Sequence, residues 1–285
     1  MIQVAPLRYG VIFKKAFCDV EIFNGFVRDI LGIEFQCDHV ETEKEFDTLL
    51  GNIKPRFDLY AEDTKNRIIV DIQHRRDSDH YDRFLHYHCA ALLEQIKNSK
   101  EYRPALAVYT IVVLTSGDKH KTPVSVIDFD PKNIRGEPLG EIPHKIIYLC
   151  PKYLNEEVPA LYHEWMQVID ESLAEEVDES HYHCPEVQKI LQRIEKDDVT
   201  PEERFWMIEE YKEEVAKREM QELAIKRGIE LGLQKGIEQG IQKGLEEGQF
   251  KAKQTIARNL LLQGLNHETI MQATGLSLLD IKNLL

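Results

Sequence analysis

Two carboxylates and an amide, those of Asp58, Asp71 and Gln73, offer the clearest chemistry in the sequence. They belong to two short runs with strand character, residues 56–61 and 67–73, which an Asp-Thr-Lys-Asn connection separates. Asp and Asn hydrogen-bond their own backbone in turns, and the Ile-Ile-Val stretch of the second run fits a pleated surface. The pattern is therefore typical of a β-hairpin.

The register of this hairpin decides whether the two aspartates meet. A symmetric four-residue loop pairs Glu62 with Arg67, and counting outward then pairs Asp58 with Asp71. Opposed Cβ atoms lie about 4.5–5.5 Å apart, and like charges there are destabilising unless something lies between them. Gln73 shares the face of Asp71 because side chains alternate along a strand. We therefore expect a divalent-metal site; the alternative is a slipped register that leaves both aspartates as ordinary solvent-facing residues.

The composition narrows the class of protein. With 285 residues, 42% of them hydrophobic, the chain can form one large domain with an appendage, or two domains. No run approaches the roughly 18–20 consecutive apolar residues of a membrane span, and the N-terminus lacks the apolar stretch of a secretory signal. Five cysteines without a Cys-x-x-Cys spacing indicate neither a disulfide framework nor a thiolate zinc site, so we expect a cytoplasmic protein.

The net charge of −14 argues against a protein that coats nucleic acid through bulk positive charge. It is compatible with a nuclease that has a locally basic face. The candidates for contact with DNA phosphates are Lys14, Arg75, Arg76 and Arg83. The alternative is that these residues are solvated surface charge.

Hydrophobic periodicity predicts an α/β core over residues 1–152. Apolar residues recur at steps of three and four in a helical region at 9–31 and in a second helix at 79–98. Strand-like segments occupy most of the remainder: 33–40, the hairpin, 105–114, 124–129 and 145–149. Residues 41–50 are expected to form a polar connection or a short helix. This order predicts a mixed sheet flanked by helices, with 105–114 buried on both faces.

Strand signals disappear from residue 153 onward, which predicts an all-helical C-terminal extension. Residues 153–224 contain three helical segments that complete or follow the core: 156–174, 185–196 and 201–222. Thr200 and Pro201 suit the N-cap and the first position of the last of these helices.

A glycine repeat occupies residues 225–250. Glycines recur every four residues, and apolar residues follow them at the same period: Gly228, Gly232, Gly236, Gly240, Gly244 and Gly248, with Ile229, Leu233, Ile237, Ile241 and Leu245. Each glycine costs a helix about 1 kcal/mol relative to alanine. Close packing of a second helix would offset this loss, so we expect a homo-oligomer that forms through this helix; a semi-flexible linker is the alternative.

The tail, residues 251–285, resembles a helix-turn-helix in outline. Helical pieces are expected at 251–262, 267–273 and 278–285. The last piece carries Lys282 as its one basic residue, so the sequence favours contact with protein over reading of a DNA groove.

The tetrapeptide His-Tyr-His-Cys occurs at 86–89 and again at 181–184, which suggests zinc binding. Residues two apart on a helix do not face each other, however, and His88 lies on the apolar stripe of its predicted helix. A buried core histidine is therefore favoured over a zinc ligand at this position.

Several segments carry a resemblance to a known family: Phe13-Lys14-Lys15-Ala16-Phe17, Asp58 with Asp71-Ile72-Gln73, Arg83 with Tyr87, Glu94-Gln95 and Tyr102, and Thr274-Gly275-Leu276-Ser277. Together with the glycine repeat, they resemble the recombination-promoting nuclease / putative transposase family of the PD-(D/E)XK nuclease superfamily. The acidic-hydrophobic-Gln motif is weak by itself, whereas its combination with the flanking segments is more specific.

The resemblance implies a restriction-endonuclease-like sheet flanked by helices and a Mg²⁺- or Mn²⁺-dependent cut of the DNA backbone. It implies that Asp58 and Asp71 are metal ligands and that Gln73 stands where the superfamily more often has lysine. The backbone carbonyl of Ile72 is a suitable further oxygen ligand, since Mg²⁺ accepts sparse ligation completed by water.

The sequence departs from the family pattern at two positions. Gly10 stands four residues before Lys14, where the family usually has an acidic residue, and Asp19 and Glu21 are open candidates to replace it. Gln73 can orient a water molecule but lacks the positive charge of lysine.

Three hypotheses follow from these observations. The first is a metal-dependent DNA endonuclease linked to recombination or mobile elements. The second is a catalytically degenerate member of the family that acts as an oligomeric DNA- or protein-binding module. The third is a structural oligomer organised by the glycine-repeat helix.

Overall fold

The computed structural model describes four stretches of the chain: residues 1–46, 55–74, 80–96 and 102–284. They fall into two compact units, Met1–Tyr211 and Lys212–Leu285. The first unit contains a six-stranded mixed sheet flanked by helices, and a long helix leads into the helical C-terminal part. The α/β class and the helical C-terminal extension predicted from the sequence are thus confirmed, except for one two-residue strand in the extension.

The sheet combines parallel and antiparallel neighbours. The strands in the described residues are β1 (Ile2–Gln3), β2 (Glu41–Glu45), β3 (Arg56–Glu62), β4 (Asn66–Gln73), β5 (Ala107–Leu114), β6 (Val124–Asp128), β7 (Lys145–Leu149) and β8 (Glu176–Val177). The main sheet has the order β2-β3-β4-β5-β7-β6. Strands β4, β5 and β7 are parallel to one another, and the remaining pairs are antiparallel. The hairpin β3–β4 therefore joins the antiparallel edge to the parallel centre.

Helices cover both faces of this sheet. The described helices are α1 (Gly10–Phe17), α2 (Val20–Leu31), α3 (His80–Leu93), α4 (Ala160–Ser172), α5 (Pro185–Arg193), α6 (Pro201–Leu262), α7 (His267–Thr274) and α8 (Leu278–Lys282). Helices α1, α2, α4 and α5 share one apolar core with the sheet, in which the rings of Phe17, Phe26 and Trp165 meet. Helix α3 covers the opposite face through Phe84 and Ala91. Strand β5, enclosed between these layers, is buried over nearly its whole length, as its apolar sequence predicts.

The helical region predicted at 9–31 consists of two helices. Asp19 separates them, because its Oδ1 atom accepts hydrogen bonds from the N–H groups of Glu21 and Ile22 and so forms the N-cap of α2. The break turns α2 onto the core while α1 keeps contact with β3 and β4.

The prediction of a strand at residues 33–40 is wrong. Its backbone follows a different course, in which Cys37 N–H donates to Asn24 Oδ1 at 3.1 Å instead of to a neighbouring strand. The strand lies one step later, at Glu41–Glu45, where the sequence predicted a polar connection or a short helix. Charged residues suit this position because β2 is an edge strand, and lysine and glutamate discourage further edge pairing.

A second correction concerns the chain after residue 153, where no strand was expected. Residues Glu176–Val177 form β8, which pairs antiparallel with Ile2–Gln3. Two-residue strands leave no periodicity in a sequence, since their pairing depends on the packing of distant segments.

The turn of the β3–β4 hairpin is stabilised by side-chain hydrogen bonds to its own backbone, as its sequence predicts. Asp63 Oδ1 accepts hydrogen bonds from the N–H groups of Lys65 and Asn66 at 2.7 and 2.6 Å. Arg67, at the start of β4, then anchors α3 to the sheet: its guanidinium group donates to the Ala91 carbonyl and to the Glu94 carboxylate. The hairpin and α3, which supply most of the candidate site, are thus held together by one buried arginine.

The C-terminal unit is helical throughout its described part. Helix α6 runs without a break through the glycine repeat, and α7 and α8 pack against its end around Ala257, Ile270 and Ile281. Asn266 caps α7 and Ser277 caps α8. Among the described residues, no helix is both long and apolar enough to cross a membrane.

Candidate active site

The β3–β4 register brings Asp58 and Asp71 to neighbouring positions. Backbone pairing begins at Glu62–Arg67, the pair expected from the four-residue connection, and continues in step to Leu59–Val70. The aspartates occupy the next positions outward on the two strands. The slipped register considered as an alternative is therefore not the one that the structure adopts.

Each carboxylate is fixed by the backbone of the opposite strand. Asp58 N–H donates to Asp71 Oδ1 at 3.3 Å, and Ile72 N–H donates to Asp58 Oδ2 at 3.0 Å. These two bonds orient both side chains toward one point between the strands. The apolar side chains of Val70 and Ile72 pack into the core on the other face of β4, so the pair has a rigid backing.

Deep burial makes the negative charge of this pair costly. Asp71 is 4% exposed, and its Oδ2 atom accepts no hydrogen bond from any residue in the described part of the chain. Burial, reinforced by the neighbouring charge of Asp58, raises the pKa of Asp71 well above its ordinary value. Burial also raises the pKa of Asp58. A cation between the two carboxylates would oppose both shifts, because its positive charge favours the ionised form of each carboxyl.

A cavity of about 420 Å³ opens beside the pair. Its walls come from four elements, and they include Glu43 of β2, Asp58 of β3, Asp71 and Gln73 of β4, and Arg83 of α3. The three residues predicted for catalysis therefore share one cavity with one of the predicted DNA-binding residues. Polar side chains that converge in a concave site are typical of a place where a ligand binds.

Arg83 places a positive charge over this cavity. Its guanidinium carbon lies 5.4 Å from the ring centre of Phe84 and 5.3 Å from that of Tyr87, so the two rings orient it. The charge of Arg83 opposes the effect of burial on the pKa of Asp58 and of Asp71. A positive charge that Gln73 cannot provide is thus present on the neighbouring helix.

Gln73 is 8% exposed and lies at the end of β4. Its backbone carbonyl accepts a hydrogen bond from Thr115 N–H at 3.0 Å, which ties this end of β4 to the segment after β5. The side chain lines the cavity on the same face of the sheet as Asp71, as strand alternation predicts.

Glu43 is a site residue that the sequence analysis did not identify. It lies opposite Asp58, between the pairs Thr42–Leu59 and Lys44–Phe57, with a φ of 58° in the left-handed region. Its carboxylate forms ion pairs with Lys14 and Arg56. Burial alone would raise the pKa of Glu43, but these two cations lower it below its ordinary value. The only signal in the sequence is a run of charged residues, which does not distinguish Glu43 from its neighbours.

The four residues predicted to contact DNA lie in different settings. Arg83 lines the cavity, whereas Lys14 of α1 is engaged with Glu43. Arg75 and Arg76 lie outside the described residues. Contact between any of the four and DNA remains a prediction.

The oxygen donors present fit a hard divalent cation. Two carboxylates converge, and one buried carboxylate oxygen has no hydrogen-bond donor among the described residues. The same residues contain no group of three or more His, Cys, Asp or Glu side chains placed to hold an ion together. An ion at Asp58 and Asp71 would therefore keep several water molecules, which is the usual state of Mg²⁺ in proteins.

Among the described residues, neither histidine tetrapeptide belongs to a group of three or more His, Cys, Asp or Glu side chains that could hold a metal ion. His88 is fully buried, its Nδ1 atom lies 2.9 Å from Thr110 Oγ1, and its ring stacks on Phe129. Burial lowers the pKa of His88 to about 3, so the ring is neutral. It is the core histidine that the sequence favoured.

Comparison with known families identifies the class to which this fold and site belong. Residues 13–223 match the PD-(D/E)XK nuclease family transposase model, which covers well over half of the chain. Residues 250–285 match the C-terminal HTH domain of the Rpn/YhgA-like nuclease family. The chain therefore belongs to the PD-(D/E)XK nuclease family of transposases, and the helix-turn-helix outline of its tail is confirmed.

Nucleases of this superfamily generally use divalent metal ions, which agrees with the oxygen donors of the cavity. The searches of curated proteins and of solved structures returned no match.

Proposed function

We propose that this chain is a metal-dependent DNA endonuclease that hydrolyses phosphodiester bonds. The observation that carries the proposal is the buried pair Asp58–Asp71. Burial raises the pKa of both carboxyls, and Asp71 Oδ2 accepts no hydrogen bond from the described residues, so a cation would stabilise the two carboxylates. Family membership supports a nuclease, and we propose Mg²⁺ or Mn²⁺ as its cofactor.

The residues of the cavity divide the chemistry among them. Asp58, Asp71 and the Ile72 carbonyl would hold the ion, which when bound would neutralise phosphate charge and activate a water molecule. Gln73 orients the attacking water through its side-chain amide. Arg83 binds a non-bridging phosphate oxygen, so that scissile bond and water are aligned. Without a lysine at position 73, we expect slow chemistry that depends strongly on the ion.

DNA is the proposed substrate, and recombination or mobile-element movement is the proposed setting. The helix-turn-helix match supports contact of the tail with DNA, although the scarcity of basic residues in α8 leaves protein contact as the competing role. We further propose a cytoplasmic location, in keeping with five cysteines that are all free thiols.

Nicking of supercoiled plasmid tests the proposed activity. Wild type, Asp58→Ala, Asp71→Ala and the control Asp38→Ala, which changes an exposed residue, are incubated with Mg²⁺ or with EDTA. We expect wild type and Asp38→Ala to relax the plasmid in Mg²⁺, and both site variants to be inactive. A wild-type protein that nicks no better than the site variants would contradict the proposal.

A second proposal is that chains associate through the glycine-repeat helix. Five apolar side chains on this part of α6 remain 53–67% exposed: Ile229, Leu233, Ile237, Ile241 and Leu245. A Cβ atom added to any of the six repeat glycines would meet no atom of the described chain within 4 Å. An apolar stripe beside an uncovered backbone favours a close helical partner, here a second copy. If the cavity is inactive, such an oligomer would act as a DNA- or protein-binding module.

A further inference from the structure

Gly10, the position where an acidic residue is missing, lies against a carboxylate from a distant part of the chain. Its backbone N–H donates to Glu210 Oε2 at 3.0 Å. A Cβ atom on Gly10 would lie 3.9 Å from that oxygen and 4.0 Å from Lys14 Nζ. The Glu210 carboxylate therefore lies within van der Waals contact of the point from which a side chain at position 10 would extend. Both residues belong to the same compact unit.

The two acids considered earlier as replacements are engaged elsewhere. Asp19 caps α2 and pairs with Arg193 at 3.2 Å. Glu21 forms an ion pair with Lys189. Neither is among the described residues that line the cavity.

Glu210 lies within the electrostatic field of the site. Much of the residue is exposed, but its carboxylate is partly enclosed. This burial and, to a smaller extent, the charge of Asp58 raise the pKa of Glu210. The hydrogen bond from Gly10 N–H and the charge of Lys14 oppose the rise. Lys14 in turn pairs with Glu43, which lines the cavity opposite Asp58. Glu210 is not one of the described residues that line the cavity, but its carboxylate lies near the site, beside the first turn of α1.

We propose that Glu210 supplies the acidic group that position 10 lacks, as a positioning residue for the cation held by Asp58 and Asp71. It acts through water, since the described residues contain no three-acid cluster able to bind an ion directly. Mg²⁺ and Mn²⁺ sites tolerate such an arrangement because bound water can bridge the ion to an outer carboxylate. This inference rests on the proposed function of the Asp58–Asp71 pair.

Calorimetric titration with Mn²⁺ tests this role without relying on DNA cleavage. Glu210→Gln should weaken Mn²⁺ affinity about tenfold, the usual scale for loss of an outer-shell partner. Glu202→Gln, which removes an equal charge from an exposed position in the first turn of the same helix, should leave the affinity unchanged. Adding Gly10→Asp to Glu210→Gln should restore most of the loss, because position 10 has room for a side chain and an acid suits the first turn of a helix.

The outcomes separate this inference from the proposal on which it rests. If Glu210→Gln lowers the melting temperature but leaves Mn²⁺ affinity equal to that of wild type, Glu210 only caps α1 and the inference is overturned. A double variant as weak as Glu210→Gln would also overturn it. If wild type takes up no Mn²⁺ at all, the proposed function fails first, and this inference fails with it.

Discussion

At the scale of single residues, Asp71 combines deep burial with a facing carboxylate. Both effects raise its pKa, and the charge of Arg83 only partly opposes them. The unfolded chain has an ordinary aspartate pKa near 4. Between the two pKa values the folded, metal-free protein binds a proton that the unfolded chain has released. Its stability therefore falls as the pH rises through that window.

We predict that Asp71→Asn stabilises the metal-free protein. Asparagine keeps an acceptor for Asp58 N–H but carries no charge, so the gain should be about 1–3 kcal/mol at pH 8 and should shrink toward pH 4. Urea unfolding in EDTA, followed by the fluorescence of the buried Trp165, measures it. Asp38→Asn, at an exposed position, is the control. A variant less stable than wild type at pH 8 would contradict the prediction.

A second prediction at the scale of residues concerns the contact of Arg83 with DNA. If its guanidinium group binds a phosphate, Arg83→Gln should weaken DNA binding and reduce the slope of log affinity against log salt by about one. Fluorescence anisotropy with a labelled duplex in Ca²⁺ over several salt concentrations measures this slope. Arg135→Gln removes the same charge from an exposed loop between β6 and β7 and should change the slope less. Equal slopes for wild type and Arg83→Gln would argue against phosphate contact.

At the scale of elements, the site depends on the joint between the hairpin and α3. Arg67 forms this joint with 6% of its surface exposed, and its guanidinium group contacts Glu62, the Ala91 carbonyl and Glu94. The ring of Phe46 lies 5.1 Å from the guanidinium carbon and packs over it. Loss of this residue would remove the 2.7 Å hydrogen bond to the Ala91 carbonyl, leave that carbonyl only the longer bond from Gln95 Nε2 at 3.3 Å, and loosen the helix that carries Arg83.

We therefore expect Arg67→Met to destabilise the first unit by about 2–4 kcal/mol, even though methionine retains much of the apolar stem. Urea unfolding monitored by tryptophan fluorescence gives this value. The exposed substitution Arg135→Met should change it by less than about 0.5 kcal/mol. If both variants unfold at the same urea concentration, Arg67 is not the joint described above.

The sequence predicts elements well where their signal is local. The Asp-Thr-Lys-Asn connection sets the hairpin register, and the apolar run of β5 implies burial on both faces; the structure has both features. Strand β2 escaped prediction because an edge strand of charged residues has no apolar alternation. Glu43 was missed with it. The contact between Gly10 and Glu210 joins residues 200 positions apart, so no local pattern could indicate it.

At the scale of the whole chain, the glycine repeat has no partner within the described residues. Its six glycines lower the helix propensity of α6 by roughly 6 kcal/mol in total, and the apolar residues beside them face solvent. A helix of this composition is understandable if a second copy packs closely on the glycine face. Alanine at these positions meets no steric obstacle among the described residues, so a loss of association on substitution would point to a partner helix.

We predict that Gly236→Ala with Gly240→Ala reduces self-association. Each alanine favours the isolated helix by about 1 kcal/mol but keeps two backbones apart. Gln234→Ala with Gln242→Ala changes the opposite side of the same helix and should leave association intact. Sedimentation velocity at several concentrations distinguishes the species. A wild-type protein that remains monomeric at about 100 µM would remove the self-association proposal.

The Asp58–Asp71 pair is proposed to hold a divalent cation in place of a proton. Calorimetric titration with Mn²⁺ at pH 7, repeated in two buffers with different ionisation enthalpies, tests it most directly. Because burial raises the pKa of both carboxyls, binding should release a proton in wild type. Asp71→Asn should bind Mn²⁺ much more weakly and release less. Mn²⁺ binding of equal strength in wild type and Asp71→Asn, with no proton released in either, would contradict the claim.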